Sequence, residues 1–389
     1  MNLTRKFSFF IRLSILILLG AYLIGFLTSC GGVLTLTWEA FFGGTDDDGI
    51  SDIIQLNDGT YLAVGYTISP TSRDIYILKL DALGQKIFEI TYDAGGKDAA
   101  YSVKETSDGF ILTGFEAPNL FDLKFCVFKY YSDGTLVWHK TFGNLTVYAE
   151  GHSIDIAPGG YIVAGVLDNQ GYILKIDPDG NSTWERIINI PGYDSTYFNC
   201  VKSVSDGYIV TGEVLDSSLN PYLLVLKVDT SGNQDWYYIL NTAQSNGYCI
   251  AESQNGYVVA GKIQNFGKWN GYVFEISTDG STINWTRTFG SFENDSISSI
   301  QPTNDGNFIV CGYYKSGSST FSRGYVLKIS STDGTPIWER VFQGASNGPD
   351  SLSAIVQTID GGYITAGYST KDSGDTDAWV LKLDTNGSL

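Results

Sequence analysis

One short pattern recurs seven times along this chain, and it constrains the fold more than any other feature. Segments 61–65, 110–114, 161–165, 208–212, 257–261, 308–312 and 363–367 each open with Tyr or Phe, continue through three apolar or small residues and end in Gly. Successive glycines stand 47 to 55 residues apart. Self-similarity at a steady period identifies a repeat architecture in which each unit buries its faces against its neighbours. A turn pair precedes each segment: Asp58, Asp108, Asp206, Asn255, Asp305 and Asp360 are each followed by Gly, and Pro158 is followed by Gly159. Such pairs supply the positive φ that a tight hairpin requires, so the strands they join pair antiparallel.

Beyond each glycine comes a third strand of the type 75–81 or 172–177, then a glycine turn, then a fourth strand led by an aromatic residue. Four strands in each period of about 50 residues make a propeller blade. The expected fold is therefore all-β: a seven-bladed β-propeller with four antiparallel strands per blade, formed as a single domain by residues 34–389. The leading aromatic is Phe88, Trp138, Trp184, Trp236, Trp285 and Trp338 in repeats one to six, and the seventh repeat reaches Leu389 without one. Trp38, followed by Phe41 and Phe42, stands alone before the first repeat and matches Trp138 and Phe142 in type and spacing. Strand 34–42 is thus expected to be the outer strand of the last blade, joined to three strands from residues 351 to 384. This closes the ring without a covalent bond and removes its open edge. Recurrence makes the leading aromatic a core position, with Trp269 as the one Trp outside that register.

Composition narrows the function classes. With 42 acids against 24 bases, a net charge of −18 excludes non-specific nucleic-acid binding, and 43% apolar residues exclude a disordered chain. A monomer is expected.

Residues 1–29 hold no acid and three bases, Arg5, Lys6 and Arg12, ahead of an uncharged run from 13 to 29. This is a signal-peptide layout. The run ends in Leu27, Thr28, Ser29, Cys30 and Gly31, which resembles the lipobox of bacterial lipoproteins. The resemblance implies cleavage before Cys30, lipidation of its thiol with diacylglycerol, further acylation by a fatty acid such as palmitate, and a short linker over 30–33. It places the chain at the bacterial cell envelope, lipid-anchored and extracytoplasmic, at the outer membrane or cell surface. The repeats, with a glycine turn before Trp as at Gly180 and Trp184 or Gly232 and Trp236, resemble bacterial seven-bladed propeller repeats and, more loosely, quinoprotein-type blades. Quinoprotein dehydrogenases use eight blades and two adjacent cysteines, whereas this chain has seven repeats and no adjacent cysteine pair.

In a four-stranded blade the first-to-second and third-to-fourth turns share one face, and the second-to-third and blade-to-blade loops share the other. Here the first kind are short and the second kind longer and varied, so function is expected on the loop face. Acids crowd its loops, among them Glu116, Glu150 and Glu213, which suits a cationic partner better than an anionic one. Phe266 and Trp269, with Phe292 and Phe321 nearby, are the candidate contact residues for a sugar ring or a protein hot spot. Asp46, Asp47 and Asp48 leave the closing strand while Asp372, Asp375 and Asp377 lie in a loop of the same blade. These six carboxylates are a candidate Ca²⁺ site, because Ca²⁺ is a hard cation that takes oxygen ligands; recurrent loop capping by Asp side chains is the competing explanation.

Cys200 and Cys249 share one repeat register on neighbouring inner strands, a separation expected to be too wide for disulfide geometry. His139 and His152 lack partners at metal-ligand spacing, and no nucleophile elbow, phosphate loop or metalloprotease motif is present. The leading expectation is a non-catalytic binding or scaffold module acting through the loop face on another envelope protein or a glycan. Two alternatives stand beside it: an extracytoplasmic hydrolase, lyase or quinoprotein-like enzyme using loop carboxylates, and a structural or adhesion component.

Overall fold

The computed structural model describes residues 35–119, 123–143, 148–291, 293–317 and 320–389. The signal segment, Cys30 and Phe292 lie outside them. Twenty-eight strands form seven four-stranded antiparallel sheets. Six blades run in simple sequence from inner to outer strand: Asp48 to Tyr92, Ala99 to Phe142, Ala149 to Ile188, Ser195 to Ile239, Ser245 to Phe289 and Ser296 to Phe342. The seventh takes its inner three strands from Asp350–Gln357, Tyr363–Thr370 and Thr376–Leu383 and its outer strand, Trp38–Phe42, from the other end of the chain. Trp38 pairs with Lys382 and Phe42 with Ala378, so the expected closure is the one observed. Neighbouring inner strands pack in turn around all seven blades, the last against the first.

The repeat glycine is required by a close approach rather than by a turn. Each inner strand carries a β-bulge opposite that glycine, as between Phe198 and Cys200 in blade 4. A Cβ on Gly212 would lie 1.9 Å from the carbonyl oxygen of Tyr197, so only glycine lets the second strand close on the bulge.

The leading aromatics act as clasps between blades more than as core residues. Trp38 and Trp285 are buried, while Phe88, Trp138, Trp184, Trp236 and Trp338 are half-buried. Each Trp packs on the third-to-fourth turn of the next blade: a Cβ on Gly232 would meet the Trp184 ring at 2.7 Å, and one on Gly84 would meet Trp38 at 2.8 Å. The indoles of Trp38, Trp138 and Trp236 also donate to the carbonyls of Ala82, Pro178 and Thr278 in those turns. Trp379 is a second Trp outside the register, missed in the sequence reading because it sits mid-strand. It is fully buried at the closure, stacks on Phe41 at 6.4 Å and donates to Glu39.

A third repeated device fixes the turn face. Lys79, Lys129, Lys227, Lys328 and Lys382 on the third strands are buried and pair with the turn acids Asp58, Asp108, Asp206, Asp305 and Asp360. The two exceptions change together: blade 3 has Pro158 at the turn and leaves Lys175 on a backbone carbonyl, and blade 5 has Asn255 with Glu275 in place of lysine.

Candidate functional site: the channel mouth on the loop face

The same bulge that demands glycine builds a site. Because the inner strands converge on the axis, the residue after each repeat glycine and the bulged residue of each inner strand meet around the loop-face end of the channel. The residues after the glycines are Tyr66, Phe115, Val166, Glu213, Lys262, Tyr313 and Tyr368; the bulged residues include Tyr101, His152, Asn199 and Tyr248.

Their contacts link blades 1 to 5. The Arg73 guanidinium lies over the rings of Tyr66 and Phe115 at 5.4 and 5.2 Å, and Tyr101 packs on Phe115 at 5.7 Å and edge-on to His152 at 5.4 Å. One nitrogen of His152 meets Glu150 at 3.0 Å and the other meets the carbonyl of Phe198 at 2.8 Å. Asn199 donates both to Glu213 at 2.8 Å and to the carbonyl of Gly247. Lys262 sits over the rings of Trp269 at 4.6 Å and Tyr248 at 5.5 Å. Tyr313 and Tyr368 stand after the repeat glycines of blades 6 and 7, between Tyr248 and Tyr66 in the order of the ring.

Two carboxyls of this mouth are tuned in opposite directions. Burial pushes Glu150 up, but hydrogen bonds from His152, Tyr148 and Tyr101 outweigh it and hold the group below the usual range. Burial dominates at Glu213 and raises it despite the amides of Asn246 and Asn199 and the nearby Lys262. Both directions follow from the balance between desolvation and hydrogen bonding to the charged form.

Of the residues singled out by sequence, Trp269 belongs to this mouth, half-buried beneath Lys262 with its backbone N–H on Asn294. Phe266 does not: it caps the second-to-third hairpin of blade 5, fully exposed. Phe321 is 38% exposed on the blade 6 loop. The six closure aspartates do not gather as a set. Asp47 accepts from Thr376, Asp48 is buried and accepts from the Gly44 N–H, and Asp377 pairs with Lys371 at 2.8 Å. Among the described residues, three carboxylate oxygens come within 4.8 Å of one another only at Asp74, Asp93 and Asp98.

The expected separation of Cys200 and Cys249 is corrected. Their thiols are 3.7 Å apart, both buried and both free, because the two inner strands pack directly against each other. His139 is paired with Glu116 at 2.9 Å and stacked on Phe128, away from the mouth.

No helix of the described residues is long and apolar enough to cross a membrane. No family model and no curated protein matches the chain. Solved structures do. An unknown-function protein from Dyadobacter fermentans superposes with a TM-score of 0.53 at 10% identity, covering 91% of this chain and 100% of that one. Sqt1 from Chaetomium thermophilum gives 0.51 at 15% identity, covering 88% and 97%. An α-L-arabinanase from Penicillium chrysogenum, solved with arabinobiose, gives 0.49 at 11% identity over 90% and 98%. At these identities the likeness shows the propeller fold alone.

Proposed function

We propose that this chain is a lipid-anchored, non-catalytic binding module of the bacterial cell envelope, held through Cys30, that takes a glycan at the channel mouth. The observation that carries the reading is the run of aromatic and polar side chains in contact across blades 1 to 5, at register positions where the repeat itself imposes no residue type. The charges there already have partners in Glu150 with His152, Glu213 with Asn199, and Lys262 over two rings. Such a mouth offers aromatic faces and hydrogen-bonding groups without a strong net field, which suits an uncharged polyhydroxylated ligand. The lipobox resemblance and the acid-free leader support the anchor.

One observation favours a hydrolase instead: two carboxyls of one mouth have their affinities for protons driven apart, the arrangement that separates an acid from a base. A glycan array probed with the parent chain and with Tyr101→Ala and Tyr248→Ala decides the first reading. Retained glycans should be lost in both variants while the circular-dichroism melt is kept. Binding of an envelope protein in a native pull-down with an empty array would replace the glycan by a protein partner. Turnover of a bound glycan that stops in Glu213→Gln would establish the enzyme. For the anchor, Cys30→Ser should abolish metabolic palmitate labelling.

A further inference from the structure

At four seams a buried aspartate at or beside the start of an inner strand faces the beginning of the third strand of the preceding blade. Two of the four have a cation built in, and between blades 5 and 6 Asp295 takes the N–H groups of Ser291 and Lys315 and meets a third strand that begins Lys268, Trp269, Asn270, with no acid. Asp350 is paired with Arg323 at 3.4 Å, and at the closure Asp48 and Asp377 share a seam in which Lys371 reaches Asp377 at 2.8 Å. Between blades 1 and 2 the facing residues are Asp98 and Asp74, fully buried and 8% exposed respectively, joined by the exposed Asp93 from the connecting loop. One oxygen from each lies within 4.8 Å of the others. None of the ion pairs among the described residues involves any of them.

The hydrogen bonds leave this group short of partners. Asp98 accepts the N–H groups of Ala94 and Ala117, each at 2.7 Å, and Asp93 accepts that of Gly95 at 2.6 Å. Asp74 is more than nine-tenths buried, and its Oδ1 has no hydrogen-bond partner at all. A buried carboxylate oxygen without a donor is costly; Asp48 Oδ1 and Asp350 Oδ1 share that state, but each has a cation at its seam, whereas among the described residues no ion pair reaches Asp74.

We propose that Asp74, Asp93 and Asp98 bind one Ca²⁺ ion, which fills at this seam the place that Arg323 and Lys371 fill at two of the others. The donors are all carboxylate oxygens, which selects a hard cation over zinc or copper. Two of the three are buried, so the ion must shed much of its water; Ca²⁺ does so readily and takes irregular oxygen cages, whereas Mg²⁺ dehydrates reluctantly. A shared proton would neutralise one carboxylate and leave two. Asp93 is the exposed member of the three, so the ion reaches the two buried carboxylates past it. The ion would tie blade 1 to the loop entering blade 2 directly beside Arg73, the residue that spans Tyr66 and Phe115 in the mouth.

Titration calorimetry of the full chain with CaCl₂ near neutral pH should give one site, and calcium should raise the melting temperature with reversal by EDTA. Asp93→Asn, at an exposed position where folding is not at stake, should weaken binding at least about tenfold; Asp74→Asn should abolish it, and Asp377→Asn should leave it intact. Absence of both heat and melting shift overturns the proposal, as does unchanged affinity in Asp93→Asn or equal loss in Asp377→Asn. Magnesium binding as tightly as calcium overturns the choice of ion. If Asp74→Asn does not fold, Asp93→Asn decides alone.

Discussion

The two faces of the ring are built by opposite rules. On the turn face each blade solves the same problem in the same way: a turn aspartate meets a buried third-strand lysine in five blades, and a turn glycine lies under the preceding blade's aromatic clasp. Gln55, Glu105 and Gln357 add the same bridge, each accepting an N–H from the turn of the preceding blade. On the loop face one register position holds Tyr, Phe, Val, Glu or Lys in different blades. Left-handed backbone divides the same way, for among the described residues the four non-glycine positions with positive φ, Asp168, Asn169, Leu219 and Phe266, are all in second-to-third loops. The turn face therefore specifies the ring, and the loop face is free to specify a ligand.

Removing part of the ring specification should have the largest effect. Deleting residues 33 to 43 takes away the Trp38 clasp on Gly84 and uncovers the edge of Thr376–Leu383. Cooperative unfolding should disappear, and a deletion variant that melts like the parent would break the comparison at its root. Gly212→Val comes next. It drives a side chain into the Tyr197 carbonyl and should cost about 3 kcal/mol or more in a urea titration. Gly306→Ala, in a turn with φ of 79° and nothing within 4 Å of the added Cβ, should cost only about 1 kcal/mol of backbone strain.

The lysine–aspartate clamps predict a pH dependence of definite sign. Burial works against ionised Asp360, but hydrogen bonds from Thr358 and Lys382 win and hold its carboxyl below the ordinary value. The unfolded chain then binds more protons than the folded one as pH falls through the normal carboxylate range. The clamp's contribution is thus complete above that range and lost as pH drops through the folded value. Asp360→Asn should cost about 2 kcal/mol at pH 7, because the Lys382 ammonium is left buried with its partner uncharged. Its urea midpoint should converge on the parent's once the pH falls below the lowered value of the folded carboxyl. A constant gap between the two would show that the clamp acts through packing instead.

How much of this could be read in the sequence follows the same division. The glycines, the turn pairs and the stray Trp38 gave away the ring and its closure, because each is a local necessity repeated about every 50 residues. The mouth was not legible in that way. Tyr101, His152 and Glu213 come from three separate repeats and meet only because seven inner strands converge on one axis. Rarity pointed to Phe266 and Trp269, and only Trp269 reached the mouth. A usable signal did exist one residue after each repeat glycine, where the pattern stops constraining residue type. The misjudged distance between Cys200 and Cys249 has the same origin, since the approach of neighbouring inner strands around the axis has no residue signature of its own.

The smallest expected effect tests the comparison most closely. Phe266 occupies a two-residue hairpin turn with φ of 50°, next to Gly267 at 78°, between the paired Asn265 and Lys268. Asn or Gly suits that conformation, and an aromatic residue does not. Phe266 buries nothing in exchange, being fully exposed. Leu219, 71% exposed with φ of 62° in the neighbouring blade, repeats the mismatch. If the loop face is shaped by a ligand rather than by the ring, Phe266→Asn and Leu219→Asn should each stabilise the chain by about 0.5 kcal/mol while weakening capture of the glycan on the array. Stabilisation with capture unchanged would strip both tips of a binding role, and destabilisation would mean that these residues serve the fold after all, which would erase the distinction between the two faces at the place where it is sharpest.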